Sequence, residues 1–422
     1  MAFKHALAAL ALATTEILPA CAQDIQTVET PAALGFDPAA LDALDARLDQ
    51  LAAEGARPGY AAIIARGEQI AFVSEAGMID LEAGTPFTVD SPVRIASMSK
   101  PVTAVAVMML VERGLVSLDD PVSDYIPEFA DIRVAVSPMA DENGEIATRA
   151  PATVMTVEHL LTHTSGLGYI FENQTDLGRL YLETSLYAGE GNLEARMQQL
   201  STLPLYADPG QRWIYSYSLD VAGRVVEVAS GMPFEDFLET EIFTPLGMNS
   251  TGFFFDYVDF DEADMSPLYV HTESGDMVET EQANPSWASG GGGLVSTASD
   301  YIRFAMMLAN GGTLGDVRIL APETFAEFSR PRLTAEQLGD GWAGRNFALG
   351  MDVVMPPAEG QQAAGVPGDL SWGGMFDTDF FVSPQTRTAA VIMTQIQPSR
   401  YRPEPRTLRV FRPMVYASFA FD

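Results

Sequence analysis

The chain has 422 residues, with 24 Lys plus Arg against 57 Asp plus Glu, so its formal net charge is −33. Because so negative a protein repels phosphate groups, the composition argues against nucleic acid and an anionic membrane surface as partners. Apolar residues make up 47% of the chain, which is enough for a large core and excludes a disordered protein.

The first 22 residues resemble an export signal. Lys4 belongs to a short basic start, residues 6–13 form an apolar core, and residues 20–22 make a small-x-small cleavage site. We therefore expect residues 1–22 to be a signal peptide. Residues 23–422 would then be a single exported domain, periplasmic or secreted.

Cys21 is the only cysteine in the chain, so no disulfide is expected. Two alternatives to simple cleavage stay open, a lipid anchor on Cys21 and an uncleaved start. Beyond the N-terminus no run of about 18 apolar residues occurs, so the sequence predicts no membrane-spanning helix.

Residue patterns predict both helices and strands along the chain. Asp37 has the form of an N-cap and Pro38 that of a first helical residue, and leucines follow at helical spacing. In chain order, the predicted elements are this helix, a hairpin of strands 60–65 and 69–74, helices at 97–113, 221–228, 234–243 and 298–309, strands at 379–382 and 388–394, and a helix at 406–417.

This order of elements predicts an α/β (α+β) fold, in which an antiparallel sheet built from both chain ends is flanked by helices. We assign residues of about 37–96 and 285–422 to the α/β part. Residues of about 97–284 would form a mostly helical inserted subdomain. No internal repeat or flexible linker divides the chain.

One lysine stands in the body of the chain, at the end of Ser97-Met98-Ser99-Lys100. Residues three apart share a helix face, so Ser97 Oγ and the Lys100 amine would lie side by side. A helix start also favours negative charge, and its free amides can bind an oxyanion. Because a desolvated lysine can lose its proton and arginine cannot, the pair predicts a nucleophilic serine with a lysine as proton partner.

Histidine is scarce, with four in the chain, and none is an evident base. His159 and His163 have the i,i+4 spacing of a zinc pair, but no third ligand is evident, so no metal is expected. His163 lies so close to Ser165 that a structural turn is more typical than a catalytic couple. No G-x-S-x-G segment occurs, so the nucleophile elbow of ordinary lipases is absent.

A tyrosine beside a cation is the alternative base. Tyr215-Ser216-Tyr217 lies on a predicted loop between packed helices. A phenol titrates near about 10 in water, and a neighbouring ammonium lowers that value. A couple of Tyr215 and Lys100 could therefore take the serine proton, although the segment alone fits buried aromatic residues equally well.

A third segment, Ser371-Trp372-Gly373-Gly374-Met375, stands just before a predicted strand. Its two glycines would let a substrate carbonyl approach the backbone, and one amide could complete an oxyanion hole. The alternative interpretation is a bulge at the end of a strand.

These three segments, in this order and spacing, resemble the serine β-lactamase and penicillin-binding-protein superfamily. The likeness is greatest to the class C-like branch that includes the family VIII carboxylesterases. Segments 160–167, 245–248 and 289–294 look like the same branch, and the resemblance covers about residues 37–400. It implies a β-lactamase-like fold.

The resemblance also implies roles for individual residues. Ser97 would be the acylated nucleophile and Lys100 its proton partner. Tyr215 would be the base for acylation and for activating the deacylating water. The backbone amides of Ser97 and Met375 would form the oxyanion hole. No cofactor is expected.

Two departures from the superfamily pattern bear on the substrate. The tyrosine motif usually ends with an Asn that grips a substrate amide, and here it ends with Tyr217. The third motif usually opens with a Lys or His that holds a carboxylate, and here it opens with Trp372, followed by Gly373 and Gly374. Without those donors an anionic substrate loses its clamp, whereas a neutral ester needs neither. We expect Trp372 and Tyr217 to line an apolar acyl or alcohol pocket.

The sequence therefore predicts a serine carboxylesterase that cleaves small or medium neutral esters through an acyl-enzyme, with weak β-lactamase activity as a side reaction. A class C-like β-lactamase or D-Ala-D-Ala carboxypeptidase is the nearest alternative. A non-catalytic protein that binds acyl or peptidoglycan fragments is the alternative from another class. The expected partner is a small ester, with no nucleic acid.

Overall fold

The computed structural model describes residues 26–28, 30–171, 173–188, 191–254, 265–281, 285–357, 365–402 and 405–420. The predicted export signal, with Cys21, lies outside the described residues. None of the helices within these ranges has the length and apolar character that crossing a membrane demands.

One large sheet runs through the described part of the chain. Its strands are β1 Gln26–Thr27, β2 Gly59–Arg66, β3 Gln69–Asp80, β4 Thr85–Pro86, β5 Arg345–Phe347, β6 Asp352–Val354, β7 Leu370–Gly373, β8 Asp379–Ser383 and β9 Thr388–Met393. The order is β1-β3-β2-β9-β8-β7-β6-β5, and β4 pairs with β3. Only β1 and β3 run parallel among these pairs.

Helices precede, follow and separate these strands. They are α1 Pro38–Ala53, α2 Ser99–Glu112, α3 Val157–Leu161, α4 Asp176–Glu183, α5 Leu193–Ser201, α6 Ser218–Ser230, α7 Phe234–Leu238, α8 Thr244–Leu246, α9 Ala298–Ala309, α10 Pro322–Ser329, α11 Ala335–Leu338 and α12 Thr407–Ala417. Short paired strands lie outside the main sheet, at Val93–Arg94, Val134–Ala135, Thr148–Arg149, Gly252–Phe253, Leu268–His271, Met277–Thr280, Leu294–Ser296, Thr313–Leu314 and Val317–Arg318.

The two ends of the chain meet in the middle of the sheet, where β2 pairs with β9 and Ile63 lies opposite Val391. Since both strands are buried almost throughout, their β-branched and small residues pack on two faces. The predicted fold class is confirmed, with an antiparallel sheet drawn from both ends and helices between.

The sheet separates two cores, because successive side chains of a strand point to opposite faces. Ala61 and Ile63 of β2 belong to the larger core, which also contains side chains of α2, α6 and α9. Ala62 and Ile64 belong to the second core, which α1 and α12 cover. The larger core therefore joins the sheet to the helical part.

Short-range patterns in the sequence predicted several helices and strands correctly. Asp37 caps α1 by accepting the Ala39 amide, as its position before Pro38 predicts. The helix predicted over 234–243 differs in detail, because the α-helix ends at Leu238 and continues as a π-helix over Glu239–Phe243.

The helix predicted over 97–113 also begins differently. A 3-10 turn over Ala96–Met98 precedes α2, and that turn packs beside β7. Beyond it α2 is buried from Ser99 to Leu110 and packs on α6. Since its residues are apolar on nearly every side, α2 suits the centre of the molecule. Ser97 thus lies where the sheet meets the helical part.

Candidate active site

A tight turn presents Ser97 at the N-terminal end of α2. Ala96, just before it, has a left-handed backbone with φ of +45°, which a residue with a side chain rarely adopts. Ser99 Oγ donates to the Ala96 carbonyl at 2.7 Å and accepts from the Leu294 amide at 3.1 Å. These contacts stabilise the turn, so Ser97 is held in one position before any substrate arrives.

Ser97 Oγ accepts a hydrogen bond from each of its two predicted partners. Tyr215 Oη donates to it at 2.6 Å, and Lys100 Nζ donates at 3.2 Å. Tyr215 reaches the serine from 118 residues away, on the loop before α6. A hydroxyl between a phenol and an ammonium has a short path along which its proton can move.

Lys100 is fully buried. Its ammonium also donates to the Gly291 carbonyl at 2.5 Å. It lies 4.6 Å from the ring centre of Tyr215 and 5.2 Å from that of Tyr169, distances at which a ring face attracts a cation. The buried charge is thus balanced by a carbonyl, a hydroxyl and two aromatic rings.

The backbone beside Ser97 makes a close turn after β7. A side chain on Gly374 would place its Cβ 2.5 Å from the Ile95 carbonyl oxygen, so only glycine fits there. The Gly374 amide donates to the Thr378 carbonyl at 2.8 Å. Within the described residues, the amides of Ser97 and Met375 donate to no backbone carbonyl, so both are available to a substrate oxygen.

Ser97 opens onto a cleft of about 910 Å³. Trp213, Tyr215 and Trp372 line it and form an aromatic wall. The ring centre of Tyr215 lies 5.7 Å from that of Trp372 and 6.0 Å from that of Trp213. Gly373, Gly374 and Met375 also line the cleft, at the end of β7.

Two ion pairs form another part of the lining. Arg345 Nη2 lies 2.7 Å from Asp352 Oδ2, and Arg412 Nε donates to Asp379 Oδ2 at 2.6 Å. Ser371 connects them, because both guanidinium groups donate to its hydroxyl and the hydroxyl donates to Asp352. Each of these two guanidinium groups is matched by a carboxylate, so neither pair adds a net charge to the lining.

A protein-family model described as Beta-lactamase matches residues 44–411. The chain belongs to the beta-lactamase family. The resemblance deduced from the three segments is therefore confirmed.

Relatives inside this family include proteins that match nearly the whole chain. Esterase EstB of Burkholderia gladioli is 33% identical over 391 residues, covering 86% of this chain and 93% of its own. Protein Rv1367c of Mycobacterium tuberculosis is 34% identical over 371 residues, covering 84% and 90%. The solved structure of EstCE1, described as a hydrolase with promiscuous acyltransferase activity, has a TM-score of 0.72 and 25% identity, and covers 90% of this chain and 99% of its own.

In this beta-lactamase family member, most of the predicted site residues come together. Ser97, Lys100 and Tyr215 are joined by hydrogen bonds. The segment from Trp372 to Met375 lines the same cleft as Ser97. Its glycines follow directly from β7, so the end of a strand serves here as one wall of the site.

The prediction that Tyr217 lines the substrate pocket is wrong. Tyr217 is fully buried. It lines neither the cleft nor a second, small cavity of about 80 Å³ that also adjoins Ser97. Its ring lies 4.7 Å from that of Tyr169 and 5.4 Å from that of Tyr187, which hold it in a layer beneath the site. Burial raises the pKa of its phenol far above the ordinary range. Tyr217 therefore supports the site without facing a substrate.

The two histidines with the spacing of a zinc pair have local partners. His159 Nδ1 accepts the Thr156 amide at 3.1 Å, which completes the cap of α3. His163 is fully buried, and its Nδ1 lies 3.1 Å from Ser216 Oγ. Its ring centre lies 4.8 Å from that of Tyr215, so His163 packs behind the tyrosine with its Nδ1 turned towards Ser216 and not towards Ser97. In the described residues no three His, Cys, Asp or Glu side chains cluster as metal ligands would.

His163 should make folding sensitive to acid. Burial, with the charge of Lys100 as a smaller cause, holds the pKa of His163 well below 6.5. The unfolded chain therefore binds a proton below about pH 6.5 that the folded chain does not, and stability falls as the pH drops towards the folded value, by about 1.4 kcal/mol per pH unit. We expect His163→Asn, which is neutral and keeps a partner for Ser216, to lose that part of the slope.

Urea unfolding of both proteins between about pH 8 and pH 5.5 measures this difference. Carboxylates elsewhere titrate alike in both proteins, so the difference between the two curves isolates His163. Parallel curves would contradict the prediction.

Sequence reasoning missed Asp220, a fully buried carboxylate near Lys100. It stands inside an otherwise apolar stretch of α6, where a charge needs a partner. A charged residue among apolar neighbours was a signal for such a role, but the spacing of residues in the sequence does not identify the partner of Asp220. The ion pairs of Arg345 and Arg412 were also missed, since their residues are ordinary surface types in sequence.

Proposed function

We propose that the protein is a serine carboxylesterase that cleaves small or medium neutral carboxylic esters through a covalent acyl-enzyme. One observation carries the proposal. Ser97 Oγ, at the edge of a 910 Å³ cleft, accepts hydrogen bonds from both Tyr215 and Lys100. The likeness to Esterase EstB, 33% identical over most of both chains, supports it. From the signal-like residues 1–22, we further propose that the enzyme acts after export.

In the first half of the reaction, Ser97 Oγ attacks the ester carbonyl carbon. Tyr215 acts as the phenolate, so the hydrogen bond between the two residues is reversed and the serine proton passes to Tyr215 Oη, 2.6 Å away. The amides of Ser97 and Met375 stabilise the oxyanion. The carbon–oxygen bond to the alcohol then breaks, and Tyr215 returns the proton to the departing alkoxide.

In the second half, a water molecule takes the place of the alcohol. Tyr215 removes its proton as the water oxygen bonds to the acyl carbon, and the bond to Ser97 Oγ breaks. Tyr215 passes that proton to Ser97 Oγ, which restores both residues, and the acid leaves. Through both halves the Lys100 ammonium, which donates to Ser97 at 3.2 Å, balances the negative charge that forms on the serine and tyrosine oxygens.

The charge distribution of the cleft supports a neutral substrate. Trp372 stands where related hydrolases keep a cation, and its ring packs on Tyr215 and Phe347. Among the described residues, each guanidinium group that lines the cleft is paired with an aspartate, and these groups belong to Arg345, Arg406 and Arg412. A substrate carboxylate would have to compete with those aspartates, and the net charge of −33 opposes its approach.

The paired assay of an ester and a β-lactam tests the proposal. We expect kcat/KM for p-nitrophenyl acetate to exceed that for a chromogenic cephalosporin by about 100-fold or more, because no clamp holds the cephalosporin carboxylate. Ser97→Ala, assayed in parallel, supplies the background rate for each substrate.

The two alternatives give different results in that assay. A faster cephalosporin reaction would make the protein a β-lactamase or peptidase. No reaction above the Ser97→Ala background with either substrate would favour a non-catalytic protein that binds acyl or peptidoglycan fragments.

A further inference from the structure

Asp220 lies behind the site described above and touches no part of the cleft. It is fully buried in α6, five residues after Tyr215. Its Oδ1 accepts the Ser289 hydroxyl at 2.5 Å and the Gly291 amide at 3.1 Å. Its other oxygen, Oδ2, has no hydrogen-bond partner among the described residues. Burying a carboxylate with one oxygen unpartnered costs free energy of folding, which indicates that Asp220 has a role beyond packing.

The glycine-rich turn is built around this carboxylate. A Cβ on Gly291 would collide with Oδ2, and a Cβ on Gly290 would lie 2.5 Å from the Leu219 carbonyl oxygen. Thr103 Oγ1 donates to the Gly290 carbonyl at 2.8 Å and holds the turn from the other side. Only glycine lets the backbone come so close to α6.

Gly291 connects Asp220 to Lys100. Its amide donates to Asp220, and its carbonyl accepts from Lys100 Nζ at 2.5 Å. The carboxylate therefore orients the residue whose carbonyl orients the ammonium. Any shift of the turn would therefore move Lys100 Nζ, which lies 3.2 Å from Ser97 Oγ.

Lys100 also interacts with Asp220 through its charge, which favours the ionised carboxylate. Burial raises the pKa of Asp220, and Lys100, Ser289 and the Gly291 amide counteract part of that rise. The other titratable groups facing Asp220 are the phenols of Tyr169, Tyr187 and Tyr217. Burial raises the pKa of all three, and the charge of Asp220 adds to it, so they stay neutral.

We propose that Asp220 is the positioning residue of the active site: through the Gly291 turn it holds Lys100 against Ser97, and its charge balances the buried ammonium. The proposal rests on the roles proposed for Ser97 and Lys100. Asp220 touches neither the substrate nor the serine, so its loss affects the rate of the chemical steps and leaves substrate binding alone.

Two matched variants separate the charge of Asp220 from its hydrogen bonds. Asp220→Asn has the same shape and keeps an oxygen for Ser289 and Gly291, but has no charge. Ser289→Ala keeps the charge and removes one hydrogen bond. The quantities to compare are kcat and KM for p-nitrophenyl acetate across pH, the rate of fluorophosphonate labelling of Ser97, and the melting temperature of each protein.

For Asp220→Asn we expect kcat to fall about 100-fold with KM nearly unchanged. The alkaline limb of its pH profile of kcat should move to lower pH by about 1 unit or more, because the substitution removes a buried negative charge beside the catalytic groups. For Ser289→Ala we expect kcat to fall about 5-fold and the alkaline limb of the pH profile to stay at its native pH.

The proposal is overturned if the pH profile of kcat for Asp220→Asn has the native shape, or if its kcat lies within about 3-fold of native. If Asp220→Asn does not fold, Asp220→Ser, which is smaller and also uncharged, takes its place under the same criteria. Native protein that neither hydrolyses the ester nor reacts with the fluorophosphonate overturns the proposed function as well. An active native protein with an unaffected Asp220→Asn overturns this inference alone.

Discussion

Ser97→Ala should abolish ester hydrolysis, with a loss of about 10⁴-fold or more in kcat/KM. The substitution removes the oxygen on which the hydrogen bonds of Tyr215 and Lys100 converge, and leaves the cleft and the oxyanion amides unchanged. Other hydroxyls near the site are engaged elsewhere. Ser99 Oγ, for example, donates to the Ala96 carbonyl and cannot replace the missing nucleophile.

Labelling with a fluorophosphonate probe measures the same loss directly, because the probe bonds to an activated serine. The native protein should be labelled at Ser97, and Ser97→Ala should not be labelled. Ser137→Ala, an exposed serine that lines neither the cleft nor the small cavity, is the matched control and should keep full activity. Labelling of Ser97→Ala at the native rate would remove Ser97 from its proposed role.

Lys100→Arg is the second large effect that we expect, a fall of about 10³-fold or more in kcat/KM. Lys100 is fully buried, with Ser97 Oγ at 3.2 Å and the Gly291 carbonyl at 2.5 Å. A planar guanidinium is larger than an ammonium and cannot point donors at both oxygens from that position.

The reverse substitution at the other end of α2 is a suitable control. Arg113→Lys lies just beyond the last residue of α2, with its side chain 41% exposed and paired with Glu241. It should keep native kcat/KM and a native melting temperature. Lys100→Arg should fold as well, since one buried cation replaces another, and circular dichroism would verify this. If Lys100→Arg retained a tenth of the native activity or more, the compact ammonium of Lys100 would not be needed at this position.

Much of the fold followed from short-range rules. Asp37 before Pro38 predicted the start of α1, and Asp37 does accept the Ala39 amide. Alternating and continuous apolar runs predicted β2, β8 and β9, whose residues are almost all buried. Each of these signals acts over a few residues, so the neighbours along the chain determine the outcome.

Predictions failed where neighbours far along the chain decide the geometry. The helix predicted from Ser97 starts at Ser99, because Ala96 has a left-handed backbone. Ser99 Oγ holds that turn and in turn accepts from the Leu294 amide, 195 residues from Ser99. Tyr217 was predicted at the cleft and is buried. An aromatic residue next to a site can point either way, and Tyr169 and Tyr187 decide which.

The order of three short segments and the lone Lys100 were enough, by themselves, to predict the family, the fold class and the likeness to ester hydrolases. They also named the residues that the structure places around Ser97 Oγ. This was possible because a serine and a lysine three residues apart on a helix have little freedom to separate.

Only the tertiary structure decided what surrounds that pair. The contact of Asp220 with Gly291 spans 71 residues, and the pairing of Arg412 with Asp379 joins α12 to β8. The spacing of residues along the chain does not predict such contacts, since they form only when separate helices and strands pack around one core. Those long-range contacts determine how the buried lysine is held and which charges line the cleft.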